Sequence, residues 1–187
     1  MLRVRNGQKT EHALTIDGEL AKMKAALLVV DIQNDFFNIS QVCSDSLKSA
    51  IQYVNAVIKL FRKKNLPIVI VQHKDEENGL VPGTTGFNVP ETINTEPSDL
   101  RIIKTYGNSF NKTGLTEKLR QLGVDTVIIT GFCAEQCVLS TYQGAEDLDF
   151  KPIILKSAIA SPNLEHVKFV EEITDTITLG ALNTLLP

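Results

Sequence analysis

At 187 residues, with 43% hydrophobic content and three cysteines, the chain is of single-domain size and can bury a core without disulfide or metal support. Its net charge of −3 is spread over mixed acidic and basic residues, which leaves no basic stripe for phosphates and argues against a nucleic-acid partner. No apolar run approaches the roughly 20 residues of a membrane span and no signal-type stretch opens the chain, so no membrane partner is expected, the thiols are read as reduced, and the protein is read as cytoplasmic.

Residues 1–22 are polar and weakly periodic and read as an amino-terminal extension, with a short docked helix over Leu14–Met23 as the alternative; residues 23–187 read as one domain. Short, β-branched apolar runs at Ala25–Val30, Pro67–Val71, Val124–Ile129 and Pro152–Leu155 predict strands buried on both faces, and weaker strands are expected at Leu100–Lys104 and Asp175–Thr178. Between the first two, Ser46–Lys64 sets Leu47, Ile51, Val54, Ile58 and Phe61 on one helical stripe. The stretch Lys74–Asp99 holds three prolines, three glycines and no period. A loop that long inside a domain is usually functional, and it offers a lid or an interface. Thr113 is expected to cap a helix ending near Gly123, and further helices fit Glu135–Asp147, Asn163–Glu171 and Leu179–Leu185. This alternation predicts an α/β fold of three layers, α/β/α, with a doubly wound, six-stranded, mainly parallel sheet ordered 3-2-1-4-5-6. Ligands then belong at the carboxyl ends of strands 1, 3 and 4.

Three reactive side chains fall at those ends: Asp31 after the first strand, Lys104 after the third and Cys137 just past the fourth. Alone, each has a plain structural reading as a turn carboxylate, a solvated ammonium and a small buried hydrophobe. Together they make chemistry. A thiol must ionise to attack, and a cysteine in the first turns of a helix beside an ammonium is favoured to do so. A carboxylate within reach can take the thiol proton and return it to a leaving amine.

Ala25-Ala26-Leu27-Leu28-Val29-Val30-Asp31-Ile32-Gln33-Asn34-Asp35-Phe36-Phe37 resembles the opening strand of the isochorismatase-like cysteine hydrolases, which ends in their catalytic aspartate. Lys104-Thr105-Tyr106-Gly107-Asn108-Ser109-Phe110, followed by Thr113 and Leu115, resembles their lysine motif, and Thr130-Gly131-Phe132-Cys133-Ala134-Glu135-Gln136-Cys137-Val138 their nucleophile segment. The resemblance runs from about Lys24 to the carboxyl terminus. It implies a triad of Cys137, Asp31 and Lys104 and a cis peptide between Phe132 and Cys133 that aims the Cys133 N–H, beside that of Cys137, at an oxyanion. It also implies a homo-oligomer, dimer or larger, since family members commonly complete their sites across a subunit interface.

The resemblance also marks what is missing. Metal-dependent nicotinamidases of the family hold a divalent ion with an aspartate and two histidines, whereas Asn38–Asp45 contains no histidine and the chain has only His12, His73 and His166. No metal and no cofactor are therefore expected. Relatives acting on isochorismate can lack the cysteine, so Cys137 favours covalent hydrolysis of a small amide or related C–N bond. Phe36, Phe37, Tyr106 and Phe132 flank the expected site, with His73 at its rim, and suggest a small, partly apolar substrate pocket. Two other classes compete: a non-catalytic small-molecule-binding module on the same fold, and a thiol redox protein using Cys133 and Cys137. The first would not need the three reactive side chains together. The second lacks the Cys-x-x-Cys spacing.

Overall fold

The computed structural model describes residues 23–187. The amino-terminal extension and the alternative helix over Leu14–Met23 lie, but for Met23, outside the described residues. Strands β1 (Ala25–Val30), β2 (Ile68–His73), β3 (Leu100–Lys104), β4 (Thr126–Phe132), β5 (Lys151–Ala160) and β6 (Thr176–Ile177) form one sheet in the order β3-β2-β1-β4-β5-β6. Every neighbouring pair is parallel. Helices α1 (Gln41–Lys63), α2 (Leu115–Gln121), α3 (Leu139–Glu146), α4 (Leu164–Ile173) and α5 (Leu179–Leu185) cover it.

The period of two along each strand divides the core into two layers. Leu27, Val29, Ile70 and Ile128 pack with Leu47, Val54, Ile58 and Phe61 of α1 and Leu182 of α5. Their sequence neighbours Leu28, Val30, Val71 and Ile129 face the other way, onto Leu115 and Leu119 of α2, Tyr142 of α3 and Val170 of α4. No residue of β1 exceeds 1% exposure. Burying a leucine or valine contributes about 1.5–3 kcal/mol, whereas strand propensities span only ~1 kcal/mol. Burial, then, is what makes β1 central.

Several elements differ from the sequence expectation at their boundaries. Helix α1 begins at Gln41, not Ser46, because Ser40 caps it: Ser40 Oγ accepts the Cys43 N–H at 3.1 Å, and buried Cys43 extends the apolar stripe. Strand β5 runs past Leu155 to Ala160, since Ile159 and Ala160 resume pairing with Gly131 and Phe132 after the polar interruption at Lys156 and Ser157. The expected single helix over Glu135–Asp147 is a π-helical turn, Ala134–Val138, followed by α3. Thr113 Oγ1 does accept the Leu115 N–H at 3.3 Å, but the capping position of α2 is Gly114.

The long connection between β2 and β3 is pinned along its length. Leu80, Phe87 and Ile93 are buried; Arg62 of α1 binds Asp99 at 2.9 Å and Glu96 at 3.1 Å; Asn55 donates to Thr92 O at 2.8 Å. Gln33 and Gln72 both donate to Phe87 O at 3.0 Å. The loop is a packed wall beside the strand ends.

Candidate active site

The sheet reverses its winding between β1 and β4, and that is where an open α/β sheet leaves a crevice at its carboxyl edge. Asp31 leaves β1 there with φ of 49°, its N–H held by Val71 O at 2.9 Å. The left-handed conformation is uncommon for a residue with a Cβ, and it turns the carboxylate back over the sheet edge. On the other side Gly131 lies so close to β1 that a Cβ would collide with Val30 N and O, and its φ of 115° suits only glycine. The chain then passes through a cis peptide at Phe132–Cys133 into the π-helical turn that carries Cys137.

Lys104 comes from β3, which the order of the sheet separates from β1 by the intervening β2. Two strand spacings of about 4.8 Å separate the backbones, and the four-carbon stem of lysine crosses them. Its Nζ lies 2.6 Å from Asp31 Oδ2 and 3.2 Å from Cys137 Sγ, and it donates to Tyr106 O at 3.0 Å. Lys104 and Asp31 are each 1% exposed. The ion contact is short but lies outside hydrogen-bond angles, so neither Asp31 oxygen has a directional donor. The reacting atoms of Asp31, His73 and Cys137 all lie within 4.8 Å of one another.

Burial raises Asp31 above the usual carboxylate range, against the opposing pull of Lys104. Burial also pushes the Cys137 thiol up to about 11; Asp31 adds to the rise and Lys104 works against it. The sequence expectation of a thiol favoured to ionise is thereby reversed. Desolvation outweighs one ammonium and a helical turn, and the resting sulfur is a thiol beside a carboxylate that holds protons well. The arrangement can pass a proton from sulfur to Asp31 as the sulfur attacks.

The other candidates divide. The Cys133 side chain is buried and turned away, its thiol donating to Glu135 Oε2 at 3.0 Å and raised by burial and by that carboxylate. Its backbone N–H, among the described residues, has no protein acceptor and is free to serve a ligand. Burial works to raise Glu135, but hydrogen bonds from Cys133, His166 and Ser161 hold it below its ordinary range. Phe36 and Phe132 pack with tilted rings 4.9 Å apart and close the apolar core beneath the strand ends, and Phe37 packs on the same cluster. The Tyr106 ring is 42% exposed and turned to Lys112, so this residue meets the site through its carbonyl. His73 Nδ1 stands 3.4 Å from Lys104 Nζ. All three cysteines are free.

Sequence reasoning overlooked Gln33. It is fully buried, donates to His73 O at 3.0 Å and accepts the His73 N–H at 2.7 Å, bolting the end of β1 to the end of β2. An amide directly after a buried strand was the available signal, because a polar group there must find partners. Ser109 and Phe110 of the lysine motif are structural: Ser109 Oγ and Thr141 Oγ1 are 2.8 Å apart, and Phe110 joins the core.

Asp31, His73 and Cys137 have the chemistry of a metal-binding group. Their shared space is filled by the Lys104 ammonium, at 2.6, 3.4 and 3.2 Å from their ligand atoms. A second cation would face it at close range, so the group does not fit a metal ion.

The sequence profile of the isochorismatase domain matches residues 25–177. The isochorismatase family protein YddQ of Bacillus subtilis is 30% identical over 146 residues, covering 76% of this chain and 81% of that protein. Nicotinamidase 3 of Arabidopsis thaliana is 29% identical over 157 residues, covering 75% of each chain. Among solved structures, the N-carbamoylsarcosine amidase from Thermoplasma acidophilum superposes with a TM-score of 0.72 at 26% identity, over 83% of this chain and 95% of that one.

Proposed function

The chain belongs to the isochorismatase family, and from that premise we propose that it is a cysteine hydrolase cleaving a small amide or related C–N bond through an acyl-enzyme. The observation that carries this is the buried contact of Lys104 Nζ with both Asp31 and Cys137. Asp31 takes the thiol proton as Cys137 Sγ bonds to the substrate carbonyl carbon. The oxyanion is met by the N–H groups of Cys133 and Cys137. Asp31 then returns the proton to the nitrogen, the C–N bond breaks and the amine leaves. Water attacks the thioester, Asp31 receives its proton and passes it to sulfur, and the carboxylic acid departs. Lys104 keeps Asp31 ionised at the start of the cycle and steadies the thiolate as it forms.

Similarity to an amidase and a nicotinamidase supports the reaction class. Free thiols support a reduced, cytoplasmic setting, and no helix of the described residues is long and apolar enough to cross a membrane. Phe169 and Ile173, exposed one turn apart on α4, support the homo-oligomer, which light scattering tests. The deciding experiment assays small amides, ureido acids and lactams for amine release, with intact-mass trapping of an adduct on Cys137. Turnover that persists in Cys137→Ala would end the proposal; tight binding of the same compounds without turnover would favour the binding module.

A further inference from the structure

His73 and Lys104 are register partners on the parallel strands β2 and β3, so their side chains leave the same face of the sheet side by side. Lys104 must cross the end of the strand that carries His73 to reach Asp31. An ammonium has three protons, and three acceptors meet this one in hydrogen-bonding position: Tyr106 O at 3.0 Å, Cys137 Sγ at 3.2 Å and His73 Nδ1 at 3.4 Å, with Asp31 Oδ2 at 2.6 Å as an ion contact outside hydrogen-bond angles. A thiol sulfur is a weak acceptor; a thiolate beside an ammonium is a strong one. Three protons and three acceptors match, and the imidazole takes the one that neither the carbonyl nor the sulfur uses.

We propose that His73 is a positioning residue for Lys104: its neutral imidazole accepts the third ammonium proton at Nδ1 and so holds the cation between Asp31 and Cys137, where it favours the thiolate. No covalent bond changes and the proton stays on nitrogen. The inference rests on the hydrolase reading of Asp31, Lys104 and Cys137 and adds the group that holds the cation between turnovers. Gln33 grips the His73 backbone on both its N–H and C=O, which fixes the root of the imidazole. The titratable groups facing the ring are Lys104, Asp31, Asp75 and Cys137. Burial and then Lys104 disfavour the imidazolium, and they outweigh Asp31 and Asp75, which favour it. An imidazolium would also lose the Nδ1 lone pair and set a second cation against the ammonium.

The test needs no substrate. In 15N-histidine NMR of the full chain, His73 is expected as the Nε2–H tautomer, titrating below the ordinary histidine value, and Lys104→Met should move that titration upward. Alkylation of Cys137 by iodoacetamide, followed by mass spectrometry across pH, is the second readout. His73→Asn, whose side-chain oxygen can replace Nδ1, should alkylate within about threefold of wild type, and His73→Leu should be slower by about tenfold with its profile moved to higher pH, the scale of one charge-assisted hydrogen bond. An Nδ1–H tautomer, a titration unmoved in Lys104→Met, or a folded His73→Leu that alkylates like wild type would each overturn the proposal. Should His73→Leu fail to fold, the NMR arm and His73→Asn decide. If these signatures hold while no amide is cleaved, the hydrolase reading fails and the cation's placement stands; turnover without them has the opposite meaning.

Discussion

At the scale of single residues, the site separates a side chain that reacts from a backbone group that assists. Cys137→Ala should abolish hydrolysis and leave the circular dichroism spectrum unchanged, because Cys137 lies at the crevice and not in the deep core. Cys133→Ser should retain most of the rate, since the hydroxyl can still donate to Glu135 and the main-chain N–H remains. Equal loss in both variants would contradict this division. Lys104→Ala should lower kcat by about 10²–10³-fold, the scale of losing one preorganised electrostatic group. Stability should fall less, because Asp31, already raised by burial, escapes the loss of its counter-ion by taking a proton. Lys104→Arg should rescue poorly: a planar guanidinium cannot occupy the fully enclosed space between Asp31 and Cys137. Kinetics of both variants beside a urea titration separate rate from stability.

At the scale of elements, the geometry depends on how tightly β4 and α3 approach their neighbours. Gly131→Ala would drive a Cβ into the backbone of Val30, and neither strand can retreat without breaking the ladder between β1 and β4. A loss of at least about 3 kcal/mol in urea unfolding is expected. Gly144→Ala meets instead the side chain of Asn108, whose Oδ1 accepts the Phe110 N–H at 2.9 Å in the lysine motif. A side chain can rotate aside, so this change should cost less stability while loosening the loop after Lys104. Comparable costs for the two substitutions would show that the β1–β4 approach is more yielding than its contacts imply.

At the scale of the whole molecule, buried titratable groups shape the dependence of stability on pH. His73 is lowered on folding from 6.5, so the unfolded chain binds the extra proton first and stability falls as pH drops through about 6.5. Cys137 is raised from 9.0 to about 11, so the unfolded chain loses its proton first and stability falls as pH rises from 9 towards 11. Asp31 is raised from 3.8, so the folded chain takes up its proton first as pH falls, and this offsets part of the stability lost through His73. Urea midpoints measured from pH 5 to 10 should trace a maximum, and His73→Asn should flatten its acid limb; an unchanged limb would deny His73 this part. Activity should survive exhaustive chelation, because the Lys104 ammonium already fills the space among Asp31, His73 and Cys137. Inactivation by chelator with restoration by zinc would reverse that conclusion.

Much of this was written in the order of residues. Apolar runs bounded by turns determined that Ala25–Val30 is a fully buried strand, and the alternation of strands and helices determined the order 3-2-1-4-5-6, because right-handed crossovers leave few other ways to wind such a sheet. Asp31, Lys104 and Cys137 were legible as strand-end residues matching family motifs. What they do to one another was not. Only the tertiary structure decided that the Lys104 side chain reaches across the end of β2 to Asp31, that His73 and Gln33 meet there, and that the Cys137 thiol is raised instead of lowered. The physical reason is range: strand and helix signals are local and repeat with short periods, whereas desolvation and the seating of one ammonium depend on groups drawn from positions 31, 73, 106 and 137, which no local pattern brings together.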